Sequence, residues 1–93
     1  MHVIAELSVV PIGENISASE HIAACERILQ EAGLHVQLHA VGTNIEGDWD
    51  SVMPAIRRCH ETMHEMGAGK ISTTLRLDTR VGKPESMDER IES

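Results

Sequence analysis

Three segments of the chain alternate between apolar and polar residues, which predicts β-strands. The segments are residues 2–10, 34–41 and 70–78. Pro11 and Gly13 are expected to end the first strand. Gly42 follows the second strand, and we interpret residues 43–47 as a short third strand reached through a tight hairpin. The apolar positions of one strand face are Val3, Ala5, Leu7, Val9, Leu34, Val36, Leu38, Ala40, Ile71, Thr73, Leu75 and Leu77.

Apolar residues recur at spacings of three and four in the segment that follows the first strand, which predicts an amphipathic helix. Ser17 and Glu20 form a capping box at its start. Gly33 is placed to end it. The predicted buried positions are Ala18, Ile22, Cys25, Leu29 and Ala32.

A second helix is predicted after the third strand. Asp48, Asp50 or Ser51 can cap it, and Pro54 lies in its first turn if Ser51 is the cap. Gly67 and Gly69 end it. Its predicted buried positions are Val52, Ile56, Cys59, Met63 and Met66.

The order β-α-β-β-α-β predicts an α+β, ferredoxin-like sandwich, with a four-stranded antiparallel sheet and both helices on one face. Residues 1–93 are expected to form a single domain of this type. The acidic segment after Pro84 is open to two interpretations: one or two helical turns, or a frayed end.

The sheet face away from the helices, here called the open face, combines short polar side chains with apolar ones. Such a face is typical of a surface covered by a second subunit, or of a ligand site beside that subunit. Carboxylates there would attract a cationic heterocycle, and hydroxyl or amide groups would orient it. The predicted members are Ile4, Glu6, Ser8, Val10, Gln37, His39, Val41, Asn44, Glu46, Ser72, Thr74 and Arg76.

The charge of the chain narrows the classes of partner. Lys and Arg total 8 against 15 Asp and Glu, a net charge of −7. Phosphate backbones and anionic membrane surfaces both require a basic face, so neither nucleic acid nor a membrane is expected as a partner.

Cys25 and Cys59 fall on predicted buried helix positions and are interpreted as reduced thiols. Because reduced thiols persist in a reducing compartment, we expect a cytoplasmic location.

The segment 60–64 reads HETMH, the H-E-x-x-H spacing of zinc hydrolases. A catalytic zinc needs a third protein ligand, and the sequence offers none at an evident spacing. We therefore interpret His60 and His64 as surface residues of the second helix and expect no metal.

His35 and His39 share a strand face and are interpreted as structural or interfacial. Trp49 either packs at the start of the second helix or closes one wall of a ligand pocket.

Three short motifs resemble one family in their order and spacing. They are Glu6–Gly13 at the end of the first strand, Gly42–Gly47 followed by Trp49-Asp50, and His60-Glu61 before a glycine and a polar fourth strand. Together they resemble the thiamine-binding-protein family of small ferredoxin-like proteins, over nearly the whole chain.

The resemblance implies a homo-oligomer, a dimer or a tetramer, that binds thiamine or its hydroxymethylpyrimidine part on the open face near a subunit interface. It implies a binding protein with no catalytic residues and no cofactor. The ligand-binding residues expected from the resemblance and the open face together are Glu6, Ser8, His39, Thr43, Asn44, Glu46, Trp49, Ser72 and Thr74. The alternation of the third strand points the Thr43 side chain towards the helices, where capping a turn is the alternative role. Two other functions remain open: an oligomerisation module without a ligand, and a zinc hydrolase that uses the HETMH segment.

Overall fold

Four strands and two helices form the predicted ferredoxin-like sandwich. The structure, a computed structural model, describes residues 1–82 and residue 87. The elements are β1 (His2–Ile12), α1 (Ala18–Glu31), β2 (His35–His39), β3 (Gly42–Asp48), α2 (Trp49–Glu65) and β4 (Lys70–Thr79). The strands are ordered β2-β3-β1-β4, and every neighbouring pair is antiparallel. The predicted acidic tail, apart from residue 87, lies outside the described residues.

Both helices end where glycine allows a left-handed backbone. Gly33 has φ 78° and Gly67 has φ 116°. After α1, Leu34 N–H donates to Leu29 O and Gly33 N–H donates to Gln30 O, the pair of hydrogen bonds that defines a Schellman motif. The same pattern closes α2. The glycines therefore set the points at which the chain leaves each helix and enters β2 or β4.

The two N-caps are also resolved. Ser17 accepts from Glu20 N–H at 3.3 Å, as the capping box predicted. Asp48 caps α2 and accepts from Asp50 N–H at 3.0 Å. Hydrogen bonding with the Met1 ammonium, followed by the bond from Asp50, lowers the pKa of the Asp48 carboxyl. Because α2 begins at Trp49, Pro54 lies inside the helix and not in its first turn. At this position Pro54 has no N–H to donate to the hydrogen bonds of the helix.

The hydrophobic core lies between the sheet and the helices. Most of the predicted apolar positions of β1 and α2 are buried, and Val9 is partly buried. Met66, also predicted to be buried, is 40% exposed, because it is the C-cap residue, where the chain leaves α2. α1 presents a slightly rotated face to the sheet. Ala18 is exposed, whereas His21 is buried, with 2% of its surface exposed. The buried His21 ring donates its Nδ1–H to Ser17 O at 2.7 Å, and its Nε2 has no hydrogen-bond partner among the described residues. The fully buried side chains are Val3, Leu7, Leu29, Ile45, Val52, Cys59 and Met63.

Cys25 and Cys59 are free, buried thiols where α1 packs against α2, as the sequence predicted. The Cys59 Sγ lies 3.6 Å from the Cys25 carbonyl oxygen, to which it donates. Hydrogen bonding with the Cys59 side chain, followed by burial, raises the pKa of the Cys25 thiol. The pair therefore acts as small apolar residues that join the two helices.

β1 runs two residues beyond its predicted end, through Pro11 to Ile12. β3 pairs with β1 only as far as Leu7, whereas β4 pairs with β1 as far as Ile12. A proline is tolerated in a strand where one side lacks a ladder partner. The far half of β1 therefore has only one strand beside it, and the sheet is narrower at that end. Among the described residues, no helix is long and apolar enough to cross a membrane, and the cytoplasmic location stays a prediction.

Candidate functional site

A cavity of about 260 Å³ lies on the open face, over the three strands β3, β1 and β4. We call it the open-face cavity. Ile4 is 9% exposed although it faces away from the helices, and Met87 is 2% exposed. These two apolar residues share the cavity with four polar ones. Its lining is Ile4, Ala5, Glu6, Asn44, Arg76, Asp78 and Met87.

Charged side chains of β1 and β4 line the open-face cavity. Glu6 and Arg76 are directly opposite in the β1–β4 register. Arg76 Nε lies 3.8 Å from Asp78 Oδ1, so the guanidinium charge is balanced by the carboxylate beside it. Glu6 contributes a second carboxylate. The formal charge of the lining is therefore −1, and the cavity favours a cation or a hydrogen-bond donor over an anion.

Asn44 reaches the cavity from β3, and His39 holds it from β2. His39 Nε2 lies 3.1 Å from Asn44 Oδ1 and 3.8 Å from Glu6 Oε2. On the other side of the ring, Val41 N–H donates to His39 Nδ1 at 3.3 Å. The β2–β3 turn therefore fixes the imidazole, and the imidazole contacts a residue of the cavity wall.

Glu46 lies at one end of the open face, beside two histidine rings and one backbone N–H. Its carboxylate is 3.0 Å from His2 Nε2 and 3.5 Å from His35 Nδ1. The Met87 backbone N–H also donates to Glu46 Oε1 at 3.3 Å. With its side chain 14% exposed, Glu46 fixes Met87 against the open face. Its ligand contact, predicted from the sequence, stays a prediction, and the structure adds this second role.

Three predicted hydroxyl residues lie further along the open face, towards the narrow end of the sheet. Ser8 is opposite Thr74, and Ser72 is opposite Val10, in the β1–β4 register. Ser8 and His39 line a second cavity of about 210 Å³ beside the β2–β3 turn, together with Thr43. The predicted site residues therefore do not share one cavity. Glu6 and Asn44 line the open-face cavity, and Ser8, His39 and Thr43 line the second. The predicted residues that line neither of these two cavities are Glu46, Trp49, Ser72 and Thr74.

Two predicted site residues lie on the helix side of the sheet. Thr43 is 6% exposed, and its Oγ1–H donates to Glu26 Oε1 of α1. The strand alternation predicted this orientation. Trp49 is partly buried and packs against the hydrophobic core, which is the first of its two interpretations. Neither residue lines the open-face cavity, and the part in ligand binding that the sequence suggested for each stays a prediction.

The HETMH segment forms hydrogen bonds within the fold. His60 Nε2 lies 2.8 Å from Thr73 Oγ1 of β4. His64 Nδ1–H donates to Ala68 O at 2.7 Å, at the end of α2. Within residues 1–82 and residue 87, no group of three or more His, Cys, Asp or Glu side chains could hold a metal ion. The two histidines therefore have local partners that join α2 to β4 and to its own C-terminus.

Sequence reasoning missed three residues of the open-face cavity, of which Ala5 was placed on the other strand face. Asp78 shares a strand face with Arg76, and this alternation was a signal that could have placed it there. Met87 lies in the acidic segment after β4, which the sequence left open between helical turns and a frayed end. Its position on the open face comes from tertiary contacts with Glu46, and the sequence offered no signal for it.

Comparisons with known proteins identify relatives over the full chain. A family model described as thiamine-binding protein matches residues 5–93. A UPF0045 protein of Synechocystis is 48% identical over 100% of this chain and 77% of its own length. A Methanocaldococcus jannaschii crystal structure has a TM-score of 0.88 at 26% identity, covering 98% of this chain and 93% of that one. A candidate thiamine biosynthesis/salvage protein of Thermotoga maritima has a TM-score of 0.85 at 18% identity, covering 99% of this chain and 97% of that one.

Proposed function

The chain belongs to the thiamine-binding protein family, and we propose that it binds thiamine, or the hydroxymethylpyrimidine part of thiamine, in the open-face cavity. The observation that supports this most strongly is the pairing of an acceptor and a donor on one wall. Glu6 and Asn44 are directly opposite in the β1–β3 register, and both line the cavity. We further propose that the protein is a binding protein rather than an enzyme.

The electrostatics of the cavity suit the charge of this ligand. Thiamine carries a cationic thiazolium ring and a neutral aminopyrimidine. Glu6 and Asp78 outnumber Arg76, and the Arg76 charge is balanced by Asp78 at 3.8 Å. The carboxylate of Glu6 can therefore accept from an amino group or attract the thiazolium charge. Ile4 and Met87 provide apolar surface for the flat side of a ring.

The volume of the cavity suits one ring of the ligand. Pockets that enclose a whole drug-sized ligand start at about 300 Å³, and the open-face cavity has about 260 Å³. We propose that the aminopyrimidine ring occupies it. The thiazolium ring would then lie along the open face, towards Ser8 and Thr74.

Thermal unfolding with and without thiamine tests this proposal. At about one hundred times its dissociation constant, a ligand adds roughly 2.7 kcal/mol of stability. For a domain of this size that corresponds to a rise in Tm on the order of ten degrees. Protein concentration is held constant, because oligomerisation also changes the Tm. A saturable rise supports the proposal, and an unchanged Tm at millimolar thiamine contradicts it.

Glu6→Gln should lower the affinity for thiamine by about three- to tenfold, because the charge is lost while the size is kept. Glu65→Gln, at the exposed end of α2, removes the same charge far from the open face and is the matched control. Isothermal titration calorimetry gives both dissociation constants. Equal affinities for the two variants would show that Glu6 does not contact the ligand.

We also propose that the chain forms a homo-oligomer, a dimer or a tetramer, through apolar side chains near the narrow end of the sheet. Val10 and Ile12 share the open side of β1, beyond the point where β3 stops pairing with it, and are 52% and 47% exposed. Val41, between β2 and β3, is 76% exposed. Exposed apolar residues that lie together mark interaction surfaces. A partner subunit there would also adjoin the cavity lined by Ser8 and His39.

Val10→Glu should convert this assembly to monomers at micromolar concentration, since it places a charge within the apolar cluster. Val81→Glu is the matched control, because Val81 is 100% exposed and lies beyond β4. Analytical ultracentrifugation measures the outcome. If Val10→Glu sediments as wild type does, the interface lies elsewhere.

A further inference from the structure

We infer that His39 is a positioning residue for the ligand, because it orients the Asn44 side-chain amide so that the amide offers an N–H donor to the open-face cavity. The cavity would then select a ring that presents an acceptor nitrogen beside an amino group. This inference rests on the proposed function, and it names the edge of the ligand that the cavity recognises.

The hydrogen bonds around His39 define its tautomer. Val41 N–H can only donate, and its partner at 3.3 Å is His39 Nδ1, so Nδ1 carries a lone pair. In a neutral imidazole, the proton is then on Nε2. Glu6 Oε2, at 3.8 Å from Nε2, favours a proton at the same position. The turn backbone and the Glu6 carboxylate therefore favour the same tautomer.

The tautomer in turn fixes the Asn44 amide. His39 Nε2–H is a donor, and it lies 3.1 Å from Asn44 Oδ1, which accepts. The two ends of an asparagine amide differ only in hydrogen bonding, so this bond holds the oxygen on the β2 side. Asn44 lines the cavity, and the group that it can offer there is its NH₂. Without His39, the amide could turn and offer an acceptor instead.

The resulting wall has a defined pattern of donor and acceptor. Glu6 and Asn44 are direct cross-strand partners, and such side chains start about 5 Å apart at Cβ. The carboxylate accepts and the amide donates. The complementary edge has an amino donor next to a ring-nitrogen acceptor, which is the edge of a 4-aminopyrimidine. Hydroxymethylpyrimidine and cytosine both present it, so free cytidine separates recognition of this edge from recognition of the whole ligand.

The test compares thiamine with an analogue in which the ring nitrogen beside the amino-bearing carbon is replaced by C–H. We expect wild-type protein to bind thiamine about tenfold or more tightly than the analogue, since the Asn44 donor loses its acceptor. His39→Leu should reduce this ratio to about two or less. His39→Gln should restore it, because the glutamine NH₂ can donate to Asn44 Oδ1 as the imidazole does. Circular dichroism and thermal unfolding first establish that both variants are folded.

The outcomes separate this inference from the proposed function. If wild-type protein binds neither thiamine nor hydroxymethylpyrimidine, the proposed function is wrong and the inference falls with it. If thiamine binds but His39→Leu keeps the full ratio, the inference alone is overturned. If His39→Leu weakens the binding of cytidine as much as it weakens the binding of thiamine, the result supports recognition of the aminopyrimidine edge that the two ligands share. A ¹⁵N NMR spectrum of the ligand-free protein provides an independent check: an Nε2–H tautomer at His39 supports the inference, and an Nδ1–H tautomer overturns it.

Discussion

Leu29→Ala should lower the free energy of unfolding by about 2–5 kcal/mol, the range for truncating a fully buried leucine. Leu29 has 0% exposure and belongs to the core between α1 and the sheet. Its truncation removes apolar contacts and leaves a cavity that the surrounding side chains fill only in part. Leu29 also belongs to the Schellman motif that ends α1, because its carbonyl accepts from Leu34 N–H at 3.4 Å. Urea unfolding at fixed protein concentration measures the change.

Leu38→Ala is the matched control, because it is the same substitution at a position that is 62% exposed. In a monomer it should change the free energy of unfolding by less than about 0.5 kcal/mol. The comparison has a second use. If Leu38 is buried in an oligomer, its truncation should make stability depend more strongly on protein concentration. If Leu29→Ala and Leu38→Ala lower the free energy of unfolding of monomeric protein equally, Leu29 is not in the core.

Gly42→Ala should destabilise the fold by about 1–3 kcal/mol and weaken thiamine binding as well. A Cβ at Gly42 would lie 2.6 Å from the Leu7 carbonyl oxygen and 3.6 Å from His39 Cε1. The oxygen belongs to the backbone of β1, which is paired on both sides at that point, so the clash cannot be relieved by turning a side chain. The start of β3 must move instead, and His39 and Asn44 move with it. Thermal unfolding and calorimetry measure the two effects.

Gly69→Ala separates this steric cost from the general effect of replacing glycine. Gly69 has no positive φ, and the nearest atom to its Cβ, the Ile12 carbonyl oxygen, is 4.0 Å away. Alanine there should be neutral, or stabilise the fold by up to about 1 kcal/mol, because it restricts the unfolded chain. A Gly42→Ala variant as stable as Gly69→Ala would show that the β1–β3 contact is not tight.

The candidate site could be predicted from the sequence only in part. Strand alternation placed Glu6, Asn44 and Arg76 on one face, because side chains two residues apart in a strand share a side. It also oriented Thr43 towards the helices, where the hydroxyl meets Glu26. Alternation carries no information about distances along a face. Ser8, Ser72 and Thr74 share that face with Glu6, yet they lie outside the lining of the open-face cavity.

For the two helices, too, the sequence specified some residues and left others open. Both C-terminal glycines were assigned correctly, because a left-handed backbone is a local requirement that glycine meets most easily. The N-cap of α2 remained open among three residues, since each of them is chemically able to cap. Asp48 is the cap because α2 starts at Trp49, directly after Asp48, the last residue of β3.

The sequence by itself determined the order of strands and helices, the glycines that end both helices, the Ser17 cap and most of the core positions, because these depend on local backbone preferences and on the periods of strand and helix. Only the tertiary structure decided what lies on the open face. Met87 reaches that face through Glu46, and His39 of β2 lies 3.8 Å from Glu6 of β1, with β3 between the two strands. Contacts between residues distant in sequence depend on strand register and chain crossing, and no local pattern specifies them.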